Sequence, residues 1–204
     1  MSLFPIASTL AAQLYDRANY EESRLILPEN RRMNILFLDF DGVLNTERYQ
    51  TRCQADGTPM ADDFGALFDP EAVGHLKMIV DAVPELHIVI ESSWKIEGID
   101  ALREMWEARG LPGKIFDSTP DLLFDGLVSA DLSDPDVMTR IEGESKVAEI
   151  RTWLVENVDD ECNYVILDDT PLFSKETDSH FIHVNPHTGI TKCDALKVIE
   201  LLAA

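Results

Sequence analysis

The sequence predicts an α/β protein with a parallel sheet and helices on both of its faces. Five short apolar runs of strand length alternate with segments whose apolar residues recur at helical spacing. This alternation is typical of parallel strands joined by right-handed helical crossovers. The first run, within residues 34–38, is apolar without alternation, which suits a strand buried on both faces. The 204 residues are enough for one domain with a sizeable core.

Residues 1–32 are predicted to form a helical extension ahead of the sheet, and residues 33–204 to form the main domain. Within the extension, apolar spacing predicts a helix over residues 6–27 that ends before Pro28. The apolar face of this helix consists of Leu10, Leu14 and Leu25.

The segment over residues 45–68 is predicted to be a long loop or small flap above the end of the first strand. It contains Gly57, Pro59 and Gly65, its charges are mixed, and its periodicity is weak. Loops longer than about 12 residues in a compact domain are usually functional or disordered. We therefore expect this short flap to serve as the cap of the domain.

The rest of the chain alternates between helix and strand. The residues 69–71, Asp-Pro-Glu, have the composition of a helix start, and Pro84 marks the end of that helix. A loop is expected over residues 117–143, with at most one short helix near 135–141, and Ser145 can cap the helix that follows. The later strands are predicted at residues 86–90, 114–116, 164–167 and 181–184. The later helices are predicted over residues 99–109, 145–156 and 193–203.

Three of the predicted strands end in polar residues of the kinds that phosphoryl transfer uses. These residues are the pairs Asp39 and Asp41, Ser92 and Ser93, and Asp168 and Asp169. Carboxyl ends of parallel strands meet at one edge of the sheet, where open α/β proteins hold their ligands. Asp39 and Asp41 share a face of an extended chain, and Gly42 permits the bend that follows. Crowded carboxylates repel unless a cation joins them, and all-oxygen ligation suits magnesium.

Simpler explanations exist for Asp39 and Asp41, because an aspartate at a strand end is often a turn residue or a helix N-cap. A calcium loop is excluded, since its glycine position falls on Leu44 and its closing glutamate position on Gln50. No Gly-x-Gly-x-x-Gly and no Gly-Lys-Ser/Thr phosphate loop occurs, which argues against a dinucleotide enzyme or an ordinary nucleotide kinase.

The chain is strongly acidic, with 38 acidic against 17 basic residues and a formal net charge of -21. Such a charge repels nucleic-acid phosphates and anionic membranes at long range, so bulk nucleic-acid binding is disfavoured. It remains compatible with an anionic substrate that a metal and a few local cations hold.

The cysteines favour an intracellular setting. Cys53, Cys162 and Cys193 lie far apart and form no metal-ligand pair. An odd, sparse set of this kind favours reduced thiols and a cytoplasmic location. No apolar run approaches the roughly 18 residues that a membrane helix needs. The N-terminus lacks the basic start and the uninterrupted apolar stretch of a signal peptide.

Four motifs in this order make residues 33–204 resemble the haloacid dehalogenase-like (HAD) phosphohydrolase superfamily. The motifs are Asp39-Phe40-Asp41-Gly42-Val43, Ser92 after an apolar strand, Lys146 on the helix before the fourth strand, and Asp168-Asp169. No single motif is specific, but their order and spacing together are. The resemblance implies a three-layer Rossmann-like fold with a minimal cap and with five parallel strands in the order 5-4-1-2-3.

A finer resemblance is to a small capless branch of this superfamily, which includes HAD modules attached to RNA-repair proteins. It rests on Ser92-Ser93-Trp94-Lys95 together with the run from Tyr164 to Asp169. Members of that branch typically carry Arg after the Trp, where this chain has Lys95. Arg and Lys differ in their phosphate geometry, because only Arg offers a planar, bidentate fork.

The resemblance implies a magnesium-dependent phosphomonoester hydrolase that acts through an aspartyl-phosphate. Asp39 would attack phosphorus, and Asp41 would protonate the leaving oxygen and then activate the hydrolytic water. The phosphoryl oxygens would be held by Ser92 or Ser93, by Lys146 and by Lys95. Ser92 is favoured over Ser93 because it lies closer to the strand. Lys146 is expected near a helix N-terminus, which would add positive potential.

The implied metal ligands are Asp39, the backbone carbonyl of Asp41, and Asp168 or Asp169. Either of the last two could bind the ion directly while the other accepts a hydrogen bond from a neighbouring group. The expected partner is a phosphorylated substrate, either a small molecule or a macromolecular end, and the oligomeric state stays open.

Two other functions are compatible with the sequence. One is a phosphatase that acts on 5′ or 3′ ends of nucleic acids, which the net charge disfavours. The other is a non-enzymatic module that binds phosphate or a partner, which an intact pair of Asp39 and Asp41 disfavours. The remaining candidates are predicted to be ordinary core or surface residues: His180, His183, His187, Trp94, Trp106 and Trp153.

Overall fold

A parallel five-stranded sheet places the candidate site residues at one of its edges. The computed structural model describes residues 32–122, 135–159, 161–172 and 179–203. Its strands are β1 (Asn34–Leu38), β2 (Ala61–Asp62), β3 (Gly65–Ala66), β4 (His87–Ile90), β5 (Ile115–Ser118), β6 (Asn163–Asp168) and β7 (Phe181–His183). Its α-helices are α1 (Glu47–Asp56), α2 (Pro70–Ala82), α3 (Ile99–Ala108), α4 (Pro135–Asn157) and α5 (Lys192–Leu202), and a 3-10 helix spans Ser93–Glu97.

The main sheet has the strand order β5-β4-β1-β6-β7, with every neighbouring pair parallel. Strands β2 and β3 form a separate two-stranded hairpin. When the five strands of this sheet are numbered in chain order and read from β7 to β5, their order is the predicted 5-4-1-2-3. The α/β fold class is therefore confirmed. Strand β1 is central: Leu36 pairs with Ile88 of β4 on one side and with Val165 of β6 on the other.

Side chains of β1 point alternately into two apolar layers, one on each face of the sheet. Leu36 and Leu38 pack in the layer that α2, α3 and α5 cover, whereas Ile35 and Phe37 pack under α4. On the α4 side, the rings of Phe37 and Trp153 meet edge to face at 5.5 Å. Each such side chain, when fully buried, contributes about 1.5–3 kcal/mol to stability. The unbroken apolar run of β1 therefore reflects burial on both faces.

The segment predicted as a loop or flap, residues 45–68, contains helix α1 and the β2–β3 hairpin. Thr46 caps α1 by accepting a hydrogen bond from Tyr49 N, and Gly57 ends it with a φ of 65°. Helix α1 was not predicted because it has no apolar stripe. Cys53 is its one buried residue. Its first turn is held instead by hydrogen bonds to backbone carbonyls of the loop after β7, at Pro186 and His187.

From residue 135 to residue 157 the structure has a single helix of 23 residues, α4. The sequence predicts instead the end of a loop, with a short helix near residues 135–141, and a second helix over residues 145–156. Ser145 was expected to begin a helix, but it lies inside α4 and its hydroxyl donates to Glu149 Oε1 at 3.3 Å. Gly143 inside the helix costs only about 1 kcal/mol relative to Ala, which did not justify a break. Lys146 consequently lies far from the helix N-terminus, so the predicted help from the helix dipole is wrong.

The predicted helix over residues 6–27 lies outside the described residues, as does part of the loop predicted over residues 117–143. Residues Met33–Ala204 form one compact unit. Among the described helices, none combines the length and the apolar character that crossing a bilayer requires.

Gly189, in the loop that supports α1, is expected to be intolerant of substitution. Its φ is +66°, and an added Cβ would lie 2.5 Å from the Val43 carbonyl oxygen. Gly57 has nearly the same φ, +65°, but open space around it. Gly57→Ala should therefore cost about 1–2 kcal/mol from backbone strain. Gly189→Ala should cost a further 1–3 kcal/mol or so from the clash.

Urea unfolding of the two variants measures this difference. Equal losses in the free energy of unfolding would show that the contact between Gly189 and the Val43 carbonyl is not tight.

Candidate active site

Strand β1 delivers Asp39 to the edge of the sheet in a buried position. The Asp39 amide donates to Leu167 O at 3.1 Å, which continues the pairing with β6 beyond the strand. The Asp39 side chain is 5% exposed, and its Oδ1 accepts a hydrogen bond from Phe40 N at 2.6 Å. Asp41, two residues on, is exposed. The two acids therefore lie in different surroundings, one desolvated and one in water.

A tight turn after Asp41 brings the β1 loop against the β6 loop. Gly42 has a φ of +68°, and a Cβ at this position would lie 2.2 Å from Asp169 Oδ2. Any side chain at Gly42 would displace the Asp169 carboxyl. The glycine thus permits the backbone after the first motif to contact the carboxyl of the fourth.

Lys146 connects the acids from three strand ends. Its ammonium donates to Asp39 Oδ2 at 2.8 Å and to Asp168 Oδ2 at 2.7 Å, and it lies 3.6 Å from Glu91 Oε2. Helix α4 carries this lysine across the sheet edge, where it is 7% exposed. Asp168 is fixed further because its Oδ1 accepts a hydrogen bond from Thr170 N at 2.7 Å.

Burial, together with an excess of acids over bases, raises the pKa of three carboxyls in the cluster. Burial, followed by repulsion from Asp168, raises the pKa of Asp39 to about 7, although Lys146 opposes the shift. The same two causes raise the pKa of Asp169 to about 6. Burial holds the pKa of Glu91 well above its usual range. For Lys146, burial lowers the pKa, but the three neighbouring acids outweigh it and raise the pKa overall.

The donor set fits a divalent cation. One carboxylate oxygen from each of Asp39, Asp168 and Asp169 lies within 4.8 Å of the others. Two further buried oxygens, Glu91 Oε2 and Ser92 Oγ, have no hydrogen-bond partner among the described residues. Hard oxygen ligands with excess negative charge are what magnesium or calcium binds. The Asp41 carboxylate does not belong to this group of three.

Asp41 is oriented by two side chains. Trp94 Nε1 donates to Asp41 Oδ2 at 2.9 Å, and Asn45 Nδ2 donates to Asp41 Oδ1 at 2.9 Å. The Trp94 ring packs edge-on against Phe40, with the ring centres 5.6 Å apart. Trp94 was predicted to be a packing residue, so its hydrogen bond to Asp41 was missed. Its position directly after the serines at a strand end could have indicated the contact.

Of the two serines, Ser92 lies with the acid cluster. It is 1% exposed, and its hydroxyl is close enough to Asp39 to oppose the rise of that residue's pKa. Its hydroxyl makes no hydrogen bond of normal geometry among the described residues. Ser93 is exposed and begins the 3-10 helix.

Lys95, a predicted phosphate ligand, is used elsewhere. Its ammonium donates to Thr119 Oγ1 at 3.0 Å, to Pro120 O at 3.1 Å and to Glu149 Oε2. A lysine has three donors, and all three are thereby engaged. In this arrangement the Lys95 side chain ties the 3-10 helix to α4, and a phosphate contact at Lys95 stays a prediction.

Glu91 was not identified from the sequence, although the pattern that identified Asp39 applies to it. It directly follows the apolar strand β4, and it is 1% exposed beside Lys146. The two histidines nearest the fourth motif contact backbone, as expected of ordinary residues. His180 Nδ1 lies 3.0 Å from Tyr164 O, and His183 Nε2 lies 2.8 Å from Asp169 O.

Parallel strands that end in buried carboxylates around one lysine define a HAD-like α/β domain. The comparison with protein families agrees: residues 35–195 match the family described as the HAD domain in Swiss Army Knife RNA repair proteins. The match covers most of the chain, and the chain belongs to this family. No curated protein and no solved structure matches it.

The metal-free protein is expected to lose stability as the pH rises from about 4 to about 7. Asp39 has a folded-state pKa of about 7 against an ordinary 3.8, so the folded state holds a proton that the unfolded chain has released. The associated stability is complete below the ordinary pKa and is lost as the pH passes through the folded value. The shift at Asp39 corresponds to roughly 4 kcal/mol. That equals a fall in Tm of roughly 8–16 °C for a domain of this size.

Thermal unfolding in excess chelator, compared between wild type and Asp39→Asn, isolates this contribution. The variant should show a smaller fall in Tm over the same pH range, because it lacks the titrating group. Adding magnesium should flatten the wild-type profile, since a cation stabilises the ionised carboxyl. Identical profiles for wild type and variant would contradict the raised pKa.

Proposed function

We propose that the protein is a magnesium-dependent phosphomonoester hydrolase that acts through an aspartyl-phosphate. The observation that carries the proposal is the buried Asp39 carboxyl, held 2.8 Å from Lys146 among the acids of two other strand ends. Membership of a HAD family supports hydrolase chemistry of this general kind. Lysine and cation together would allow a carboxylate to approach an anionic phosphate.

Asp39 would be the nucleophile. One of its carboxylate oxygens would attack phosphorus while the bond from phosphorus to the leaving oxygen breaks, and the phosphoryl group would pass to the carboxylate. Water would then attack the phosphorus of the acyl phosphate, releasing inorganic phosphate and the free carboxylate. A fixed Asp39 suits this role, because in-line attack requires a defined geometry.

Asp41 would move the protons. It would give a proton to the leaving oxygen in the first step and take one from the attacking water in the second. Its exposure and its contacts with Trp94 and Asn45 suit a group that must exchange protons while holding one orientation. Trp94 would act as a positioning residue that keeps Asp41 aimed at the leaving group.

Lys146 and Ser92 would hold the transferring phosphoryl group. The ammonium of Lys146 already bridges Asp39 and Asp168, and the Ser92 hydroxyl is buried beside Asp39 without a hydrogen bond of normal geometry among the described residues. Asp39, Asp168 and Asp169 would hold the magnesium ion. When bound, this ion supplies positive charge that neutralises the phosphate and stabilises the charge on the transferring oxygens.

A second candidate is a nucleic-acid end phosphatase of the RNA-repair type. It is favoured by the family, whose description names RNA repair proteins. The charge of -21 works against it, because nucleic-acid affinity depends mainly on neutralising phosphates with lysine and arginine. Comparing turnover of a phosphorylated oligonucleotide end with turnover of small phosphate esters distinguishes the two.

We also expect the protein to act in the cytoplasm.

Asp39→Asn and Asp41→Asn are expected to fail differently. Without the Asp39 carboxylate no phospho-enzyme can form. Without Asp41 an aryl phosphate should still transfer its phosphoryl group, because an aryl oxide leaves without a proton. Hydrolysis of the intermediate should slow by roughly a hundred- to ten-thousand-fold, the usual contribution of general base catalysis.

Rapid mixing and intact-protein mass spectrometry test this difference. Asp41→Asn should show a stoichiometric burst and one added phosphate, and Asp39→Asn should show neither. The control is Asp81→Asn, an exposed residue of α2 that pairs with Lys77 and should behave as wild type. Wild-type turnover by Asp39→Asn would exclude the covalent route in favour of direct attack by water.

Trp94→Phe is expected to impair reactions that need leaving-group protonation. The substitution keeps an aromatic ring beside Phe40 but removes the donor to Asp41. General acid catalysis contributes roughly a hundred- to ten-thousand-fold, so removing the donor that orients Asp41 should lower kcat on an alkyl phosphate by roughly ten-fold or more. An aryl phosphate should be affected far less.

Trp106→Phe is the matched control, because its Nε1 donates to Pro112 O, away from Asp41. It should slow alkyl and aryl substrates equally, if at all. Equal effects of Trp94→Phe on both substrate types would mean that Trp94 has a packing role alone.

A further inference from the structure

A cleft with apolar walls and two carboxylates lies beside the candidate active site. It lies between the β2–β3 hairpin, the 3-10 helix and α3, and has a volume of about 520 Å³. This size falls within the range of about 300–1,000 Å³ that is typical of small-molecule sites. Its apolar wall is formed by Phe64, Trp94, Ile96, Leu102 and Met105.

The cleft and the candidate active site share one side chain. Trp94 lines the cleft with its ring and donates from its indole nitrogen to Asp41. Asp41 does not itself line the cleft, so Trp94 is the side chain that brings a group bound there close to the residue proposed to protonate the leaving oxygen.

The charge of the cleft is negative. Asp63 and Glu97 line it, and no basic side chain is among the described residues that do so. The guanidinium of Arg109, 5.9 Å from the centre of the Trp94 ring, is held by Asp62 Oδ1 at 2.6 Å and by Gly65 O at 3.2 Å. It lies over the Phe68 ring, 4.8 Å from the ring centre. These contacts fix the hairpin wall, and among the described residues Asp63 and Glu97 form no ion pair with a basic side chain.

We propose that this cleft binds the leaving group of the substrate, and that this group is an apolar or aromatic body that is cationic or uncharged. The proposal rests on the function proposed above and specifies its substrate class. Apolar walls favour burial of a ring or an alkyl chain. The two carboxylates attract a cation and repel a further phosphate, which disfavours an oligonucleotide as the leaving group. Trp94 and Phe64 also present rings that can contact a cation.

Two aryl phosphates that carry opposite charges on their para substituents test the charge preference. The cationic probe is 4-(aminomethyl)phenyl phosphate, and the anionic probe is 4-(carboxymethyl)phenyl phosphate. The readout is the ratio of their kcat/KM values in wild type and in the double variant Asp63→Asn/Glu97→Gln. Comparing the ratio between proteins cancels the chemical difference between the probes.

Wild type should favour the cationic probe, and the double variant should reduce this preference by about two- to ten-fold, as exposed ion pairs do. The effect should shrink at high salt. Glu104→Gln, an exposed residue of α3 outside the cleft, is the matched control and should leave the ratio unchanged. An unchanged ratio in the double variant would overturn the proposal while leaving the phosphatase function intact.

Ile96→Ala tests the apolar wall, because this side chain is 74% exposed and can be shortened without opening the core. It should lower kcat/KM for both aryl probes by about five-fold but leave methyl phosphate, which lacks a body to bury, unchanged. Equal effects on all three substrates, or a higher kcat/KM for a phosphorylated dinucleotide than for its mononucleotide, would contradict the proposed leaving group.

Binding of the phosphate-free alcohols separates the cleft from the chemistry. Titration with 4-hydroxybenzylamine should shift the Trp94 indole N–H resonance, assigned by its loss in Trp94→Phe, and 4-hydroxyphenylacetate should shift it much less. If no phosphate is hydrolysed but the amine shifts this resonance, the proposed function fails and the cleft assignment stands. If neither alcohol shifts it, the cleft assignment fails.

Discussion

The site depends on burying one ammonium group among several carboxyls. Lys146 contacts Asp39 and Asp168 and lies near Glu91, and all four side chains are almost completely removed from water. An uncompensated buried charge costs several kcal/mol, so neither the lysine nor the acids could be placed here alone. Their mutual attraction ties α4 to the ends of β1, β4 and β6. The strand ends and the helix are thus held in register by the same groups that would perform the chemistry.

This compensation is incomplete, and the excess of acid has a functional meaning. One lysine faces four carboxyls in the cluster, and burial with mutual repulsion raises the pKa of Asp39, Asp169 and Glu91. A fully neutralised cluster would be more stable but would have little affinity for a cation. Functional sites commonly retain such unfavourable groupings, and the surrounding fold stabilises them. Here the apolar layers on both faces of the sheet provide that stability.

A strand, helix or site residue could be predicted from the sequence where neighbouring residues form a characteristic pattern, and was missed where they do not. The buried parallel strands could be predicted from their apolar runs, which Asp39 and Asp168 follow directly. Their order was predicted from the resemblance to the HAD superfamily. Helix α1 could not be predicted, because a capped polar helix on the surface leaves no apolar period. The continuity of α4 was missed because a glycine and a serine suggest a break that packing on the sheet overrides.

Side-chain partners were harder to predict than positions. Lys95 and Lys146 both fit a phosphate contact in sequence, and only three-dimensional packing shows that Lys95 is engaged by Glu149 and two loop oxygens. Glu91 shared the strand-end pattern of Asp39, yet nothing local indicates that its carboxyl lies beside Lys146. Such pairings join residues distant in sequence, so they depend on topology and not on spacing.

Trp94 links the choice of substrate to the chemistry. Its indole nitrogen orients Asp41, and its ring forms a wall of the cleft that the β2–β3 hairpin closes. Gly65 of the hairpin approaches the ring so closely that an added Cβ would lie 3.2 Å from it. Arg109, at the end of α3, holds the same hairpin through Asp62 and the Gly65 carbonyl. If Asp41 is the acid proposed above, a leaving group that displaced the ring would also turn Asp41 away from the bond to be broken. Because both proposed roles depend on one packed side chain, a substrate that fits the cleft would present its leaving oxygen to a correctly oriented acid, and a substrate that does not fit would be protonated poorly.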